Sequence, residues 1–387
     1  MVSFKCWQRS YLHSLTGNRL RGAFWARNTR VKSLAAASST FVELNQSVVK
    51  GGNVTEIQAY KSEEVTWDID GIAVYGTLTR PAGGGKRPGI VFVAGSGPTD
   101  GDWCSPLLPG TTCSGRLLAH ALTEKGYITL RYDKRAAGPH VRENLLRLVG
   151  KMSMQGHVDE LAGAITSLVS TDNIDLSRLF VLANSEGTIH ALHYQLQAPL
   201  HRFTGLVLTG APGRPVGLVA RDQLLMQAAP LPNRDDLMKR YDACIEAFVA
   251  GKPMVPDPML PDGMKDLLRS LETPANLPFA RELWTENPAD LIAQVAEPIL
   301  VVIGKKDIQV DWRKDGRALE TAAAGISNVT FAYPENADHV LKYESRFREE
   351  LTAAEVGVQY NAEGRVLDHD ALSVIVEWLS QQSGVNL

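Results

Sequence analysis

The chain has 387 residues, 44% of them apolar, and a formal net charge of -3. This is enough apolar material for a sizeable core, and the charge balance argues against a nucleic-acid-binding face, which would be basic. No apolar run reaches the ~18 residues that a membrane-spanning helix needs.

The first forty residues carry Lys5, Arg9, Arg19, Arg21, Arg27, Arg30 and Lys32 but no Asp or Glu. Residues 1–45 therefore read as a basic, flexible leader. Its composition also resembles an organelle transit peptide, and it lacks the continuous apolar stretch of a secretory signal. The expected location is the cytoplasm, or an organelle if the leader is such a peptide. Residues 46–85 read as N-terminal antiparallel strands, because Thr55–Tyr60 and Glu64–Leu78 alternate apolar and polar side chains. The run Pro81-Ala82-Gly83-Gly84-Gly85 ends them.

From Gly89 the pattern changes. Continuous apolar strands (Gly89–Ala94, Tyr127–Arg131, Phe180–Ala183, Gly205–Leu208, Pro298–Ile303, Val329–Tyr333) alternate with helical stretches such as Leu117–Leu122, Val158–Val169 and Asp370–Leu379. Such alternation implies a mainly parallel sheet with helices on both faces. Residues 86–212 and 296–387 are assigned to this α/β core. Between them, 213–295 has no strand pattern. Its helical stretches Arg221–Ala228, Arg234–Ala250 and Met264–Ser270 and its Pro-rich loops read as an inserted helical cap. The cap holds Met226, Met238, Met254, Met259 and Met264, five of the chain's eight methionines. Packing filler is the preferred reading over an adaptable pocket wall. Tyr241, Phe248 and Trp284 are candidates for the pocket lining.

The most informative run is Phe180-Val181-Leu182-Ala183-Asn184-Ser185-Glu186-Gly187-Thr188. An apolar strand ends at a serine with small residues two positions to either side, and a helix-compatible segment follows. That is the layout of a nucleophile elbow. A serine hydroxyl needs a base, and the base needs an orienting acid. Asp307 follows one strand end and His339 the next, so the order Ser, Asp, His is met. Two backbone N–H groups are expected to face the oxyanion, one from Glu186 and one from Ser96 in the loop Gly95-Ser96-Gly97-Pro98.

Each assignment has a plainer rival. Ser185 could be only a helix cap. Asp311 competes with Asp307 but is better placed to cap a helix over Trp312–Thr321. His369 competes with His339 but opens the last helix. His190 and His193 read as packing or surface histidines, and Lys134 and Arg135 as loop-fixing ion pairs. The charge of Glu186 reads as a pocket-wall or solvated carboxylate. Gly95-Ser96-Gly97 is not a dinucleotide fingerprint, because no third glycine opens a helix. Cys6, Cys104, Cys113 and Cys244 show no metal-ligand spacing, so no metal is expected. Cys104 and Cys113 are expected as reduced thiols, with a disulfide as the alternative in an oxidising compartment.

Gly95-Ser96-Gly97-Pro98, Arg131-Tyr132-Asp133-Lys134-Arg135, Ser185 with Gly187, Gly304 with Asp307, and His339 together resemble the α/β-hydrolase superfamily, and within it the bacterial carboxylesterase-like subgroup with a Gly-Ser-Gly-Pro oxyanion loop. The resemblance spans about Val65 to Leu379. It implies the α/β-hydrolase fold and hydrolysis of carboxylic esters of small or medium acyl groups through an acyl-enzyme. The implied partner is a small-molecule ester and the implied reaction needs no cofactor. A thioesterase or serine aminopeptidase is the alternative. The departures are Ala183 for the first elbow glycine, Ala94 for a histidine, and Gly101 for an arginine.

Overall fold

In the computed structural model, residues 60–385 are described. The expected leader and the residues 55–59 of the first expected strand lie outside them. Eight strands form one sheet in the order β1-β2-β4-β3-β5-β6-β7-β8. They are β1 (Tyr60–Ile69), β2 (Ile72–Pro81), β3 (Arg87–Val93), β4 (Ile128–Tyr132), β5 (Ile174–Asn184), β6 (Gly205–Thr209), β7 (Ile299–Val302) and β8 (Val329–Ala332). The pairs from β4 through β3 to β8 are all parallel, while β1 and β2 add an antiparallel edge.

The reading of Glu64–Leu78 as one strand is corrected. The chain reverses at Asp70-Gly71, both at positive φ (54° and 75°), and the Asp68 carboxylate accepts the Gly71 N–H at 2.7 Å. An Asp-Gly pair between alternating runs is a hairpin turn. Across it the inward-facing set shifts from odd positions (Val65, Trp67, Ile69) to even ones (Ile72, Val74, Leu78), the break in phase that a two-residue turn imposes.

The central strands are buried on both faces, and their side chains divide by parity. Val91, Val93, Leu179, Val181 and Ala183 join one core cluster, whereas Ile90, Phe92, Phe180 and Leu182 join another. The second face is covered by α1 (Ser114–Glu124), through Leu118 and Leu122, and by the C-terminal helix His369–Ser383, through Ile375 and Leu379. After α2 (Val141–Leu148), the first face is covered by α3 (Met154–Val169) and by α4 (Glu186–Leu196), which springs from the elbow.

Between β6 and β7 the described elements are all helices: α5 (Val216–Ala228), α6 (Arg234–Val249), α7 (Asp262–Leu271), α8 (Phe279–Thr285) and α9 (Pro288–Ile292). Helices α5 to α8 build a small core of their own around Leu224, Met238, Tyr241, Phe248, Leu268 and Trp284. Met238, Met254 and Met264 are buried in that core, while Met226 and Met259 are exposed. Three of the five thus act as packing filler, as preferred, and two do not. Then follow α10 (Arg317–Ala322), α11 (Ala353–Gly357) and α12, the His369–Ser383 helix.

The packing of β3 on α4 fixes Gly187. A Cβ there would lie 2.6 Å from the Ala94 carbonyl oxygen and 2.7 Å from that of Val93. Both neighbours are backbone and cannot rotate away. Gly187→Ala is expected to cost about 1–3 kcal/mol, the usual range for overpacking. A urea unfolding midpoint unchanged from the parent would contradict this packing.

Candidate active site

The carboxyl end of β5 turns into α4 through Ser185, whose backbone sits at φ 54°, ψ -124°. A non-glycine residue there stores roughly 1–3 kcal/mol of strain. The turn is tied on two sides. The Ser185 N–H donates to the Thr209 carbonyl at the end of β6 at 2.9 Å, and the Ser185 carbonyl accepts from the Thr188 N–H at 3.0 Å and its hydroxyl at 2.6 Å. Ser185 is therefore the strained strand-to-helix turn itself and not a side-chain cap of α4.

Asp307 follows β7, is fully buried, and holds His339 from the loop after β8: its Oδ2 lies 2.8 Å from His339 Nδ1. Its other oxygen accepts the N–H groups of Gln309 at 2.7 Å and Val310 at 2.9 Å. The two loops lie close because Gly304 has no side chain; a Cβ there would strike the Ala337 carbonyl. Burial works against a charged His339, but Asp307 outweighs it and raises the imidazole pKa above its ordinary value. Asp311 does what its rival reading assigns: its carboxylate caps the turn at Trp312, accepting from Arg313 N–H at 2.9 Å and Lys314 N–H at 3.2 Å. His369 is 91% exposed, which removes it from the site.

Asn184, beside the elbow, was not singled out from the sequence. Its side-chain amide donates to the His339 carbonyl at 3.1 Å and reaches the Thr209 hydroxyl at 3.2 Å. Gly210, at φ 52°, leaves the space that the imidazole needs, since a Cβ there would sit 3.1 Å from two ring atoms.

The run after β4 fastens the loops around the serine. Arg131 pairs with Asp102, and the Asp133 carboxylate accepts the Gly101 N–H at 2.7 Å. Lys134 donates to the Gly95 carbonyl at 2.5 Å, and Arg135 donates to Glu160 at 2.8 Å. The loop-fixing reading of Lys134 and Arg135 therefore stands. Gly101 is required where it is: a Cβ would lie 2.8 Å from the Tyr132 carbonyl carbon. Gly95 packs on the elbow, where a Cβ would meet the Ser185 Cβ at 3.1 Å.

Ser185 stands between two cavities. One, about 1200 Å³ open to solvent, runs beneath the inserted helices and is lined by Val216, Val219, Leu271, Phe279, Leu283 and Trp284, with Lys134, His157 and Glu186 at its floor. The other, about 640 Å³, is lined by Trp103, Asn184, His339, Tyr360 and Asn361. Ser96, Pro98, Ser185 and Gln309 border both. Of the three aromatic candidates for the lining, Trp284 reaches the cavity, and Tyr241 and Phe248 lie in the core of the inserted helices.

Residues 90–353 match the model of the alpha/beta hydrolase family. The chain belongs to that family. It is 24% identical over 329 residues to esterase EstD of Thermotoga maritima, covering 83% of this chain and 70% of that one. Among solved structures it is similar to proline iminopeptidase of Mycobacterium smegmatis, at 14% identity and a TM-score of 0.49 over 83% of this chain and 99% of that one. It is likewise similar to Est1E of Butyrivibrio proteoclasticus, at 14% identity and a TM-score of 0.47 over 82% and 96%.

Three features of this hydrolase were not legible beforehand. First, Glu186 lines the cleft, as the pocket-wall reading has it, but it is buried and paired, not solvated. Burial opposes its charge, but Lys134 at 3.6 Å and His190 at 3.2 Å hold its carboxyl well below the usual range. Second, His157, Glu186 and His190 bring potential ligand atoms within 4.8 Å of one another. The Lys134 ammonium already neutralises that carboxylate and would repel a metal cation. Third, the expected reduced thiols are corrected: Cys104 and Cys113 form a disulfide, with Cα atoms 5.3 Å apart. The chain turns back because the Asp100 carboxylate accepts the N–H groups of Asp102 at 3.0 Å and Cys104 at 2.8 Å.

Two of the buried histidines near the serine, His190 and His339, are shifted in opposite directions. Burial lowers His190 to about 4, even though Glu186 pulls the other way, and Asp307 raises His339 above 6.5. Imidazole NMR should find His190 neutral through the whole neutral range. A His190 midpoint near 6.5 would contradict the assignment.

Proposed function

We propose that the protein is a serine carboxylesterase that hydrolyses esters of small or medium acyl groups through an acyl-enzyme. The observation that carries this reading is the Asp307–His339 pair at 2.8 Å, whose imidazole lies in the wall of the same cavity as the strained Ser185. The 24% identity to an enzyme named an esterase supports it.

The Asp307 carboxylate fixes the Nδ1-protonated tautomer, leaving the Nε2 lone pair of His339 as the base. Ser185 Oγ attacks the ester carbonyl and its proton passes to Nε2. The Ser96 and Glu186 N–H groups take the charge that develops on oxygen. As the tetrahedral intermediate collapses, Nε2 protonates the leaving alkoxide. Water then attacks the acyl-enzyme with His339 again as base, and the acid is released.

This sequence of steps also sorts the cavities. The leaving alcohol must lie within reach of the imidazole that protonates it, so it belongs in the His339-lined cavity. The acyl chain then extends into the apolar cleft beneath the inserted helices. An amine-recognising peptidase would need a free pocket acid. Glu186 is in the right wall, but Lys134 and His190 engage it, which favours the ester over the amide.

Ser185→Ala should abolish nitrophenyl-acetate turnover, and near-native activity would refute the nucleophile. Asp307→Asn should lower kcat about 10⁴-fold, as loss of the orienting acid does elsewhere. The base acts as the neutral imidazole, and Asp307 raises its pKa, so activity should fall as pH drops through a midpoint above 6.5. In the residual activity of Asp307→Asn, that acid limb should move to lower pH. An unmoved limb would show that a different group is titrating.

A further inference from the structure

The Lys134 side chain, at the end of β4, is only 4% exposed, and both its partners belong to the serine's surroundings. Its ammonium donates to the Gly95 carbonyl at 2.5 Å and pairs with the Glu186 carboxylate at 3.6 Å. The Gly95 carbonyl and the Ser96 N–H are the two ends of one peptide group. A planar trans peptide points them in opposite directions, so whatever grips the carbonyl also aims the N–H. Glu186 is the first residue of α4, where backbone N–H groups have no partner within the helix.

We propose that Lys134 is a positioning residue for the oxyanion site, aiming and polarising the Ser96 N–H through the Gly95 carbonyl and anchoring Glu186 so that both donors face one point beside Ser185. The inference rests on the ester-hydrolase reading above. A charge-assisted hydrogen bond away from water is stronger than a neutral one. A peptide whose carbonyl is so engaged is a better N–H donor, by about 10–30% per bond. Gly95 lies close against the elbow, where an added Cβ would stand 3.1 Å from the Ser185 Cβ. Glu186 completes the arrangement by balancing the ammonium, and its carboxylate is braced in turn by His190 at 3.2 Å.

Three variants separate this role from mere loop packing. Lys134→Met removes the grip but strands a buried carboxylate. Lys134→Met combined with Glu186→Gln removes both charges together. Lys134→Gln keeps an N–H for the Gly95 carbonyl without the charge. The readouts are nitrophenyl-acetate kcat and KM, the inhibition constant of an alkylboronate that forms a tetrahedral adduct on serine, and the melting temperature. In the folded double variant kcat should fall about 10- to 100-fold, below the full loss of one donor. KM should change little, and boronate affinity should weaken in step with kcat/KM. Lys134→Gln should recover part of kcat. A folded Met-bearing variant with parent-like kcat, or a loss found wholly in KM, would overturn the proposal. Ser185→Ala is assayed alongside. If it is inactive while the Lys134 variants match the parent, only the role of Lys134 fails. If it stays active, the hydrolase reading fails and the proposal with it.

Discussion

Ser185 adopts a backbone conformation that a free L-residue avoids, φ 54° and ψ -124°, and the surrounding site is arranged around what holds it there. The turn costs roughly 1–3 kcal/mol, so it persists only because its neighbours overdetermine it. The Thr209 carbonyl at the end of β6 accepts its N–H, Thr188 donates to its carbonyl, and Gly187 lets α4 lie against the β3 backbone. The strain lifts the hydroxyl over the carboxyl edge of the sheet. There the loops after β7 and β8 arrive as a consequence of parallel strand order, bringing Asp307 and His339 with them.

A second layer holds those loops with buried charge. Arg131, Asp133, Lys134 and Arg135 together reach three neighbours of the elbow: the Asp100–Cys104 turn twice, the Gly95 peptide, and α3 through Glu160. Buried charges are costly unless paired, and here each has a partner of opposite charge or a backbone dipole. Glu160 shows the balance. Burial raises its carboxyl pKa, but His157 and Arg135 bring it down to about 2. Asp100 is pushed up to about 7 by burial, with the neighbouring Asp102 and Asp133 adding to the rise. The rigidity of the site thus comes from pairing along one short run of sequence, and the apolar sheet beneath supplies the platform.

How much of this could be read in advance depended on where the information lies. Strands β3 and β5 were legible because burial on both faces leaves an unbroken apolar run. The Ser185 turn and the Asp307–His339 pairing were legible because the fold places the end of each strand at one edge, so chain order stands in for geometry. The hairpin at Asp70-Gly71 was legible in its Asp-Gly pair and in the shift of the inward set from Val65, Trp67 and Ile69 to Ile72, Val74 and Leu78, but the two runs sit so close that they read as one strand. The engagement of Asn184 with the His339 carbonyl, and of Lys134 with the Gly95 carbonyl, involves side chain to backbone bonds spanning 155 and 39 residues. Sequence spacing records nothing of such bonds. The Cys104–Cys113 pairing was misjudged for a related reason: it depends on the Asp100 carboxylate folding the loop back, not on a secretion signal.

The central claim is that the strained serine is the nucleophile and that His339 activates it. Labelling the intact protein with a fluorophosphonate and mapping the modified peptide tests this most directly. The account predicts one adduct, on Ser185, whose formation slows by orders of magnitude in His339→Ala while the protein stays folded. An adduct on any other residue, or labelling of Ser185 at an undiminished rate without His339, would contradict it.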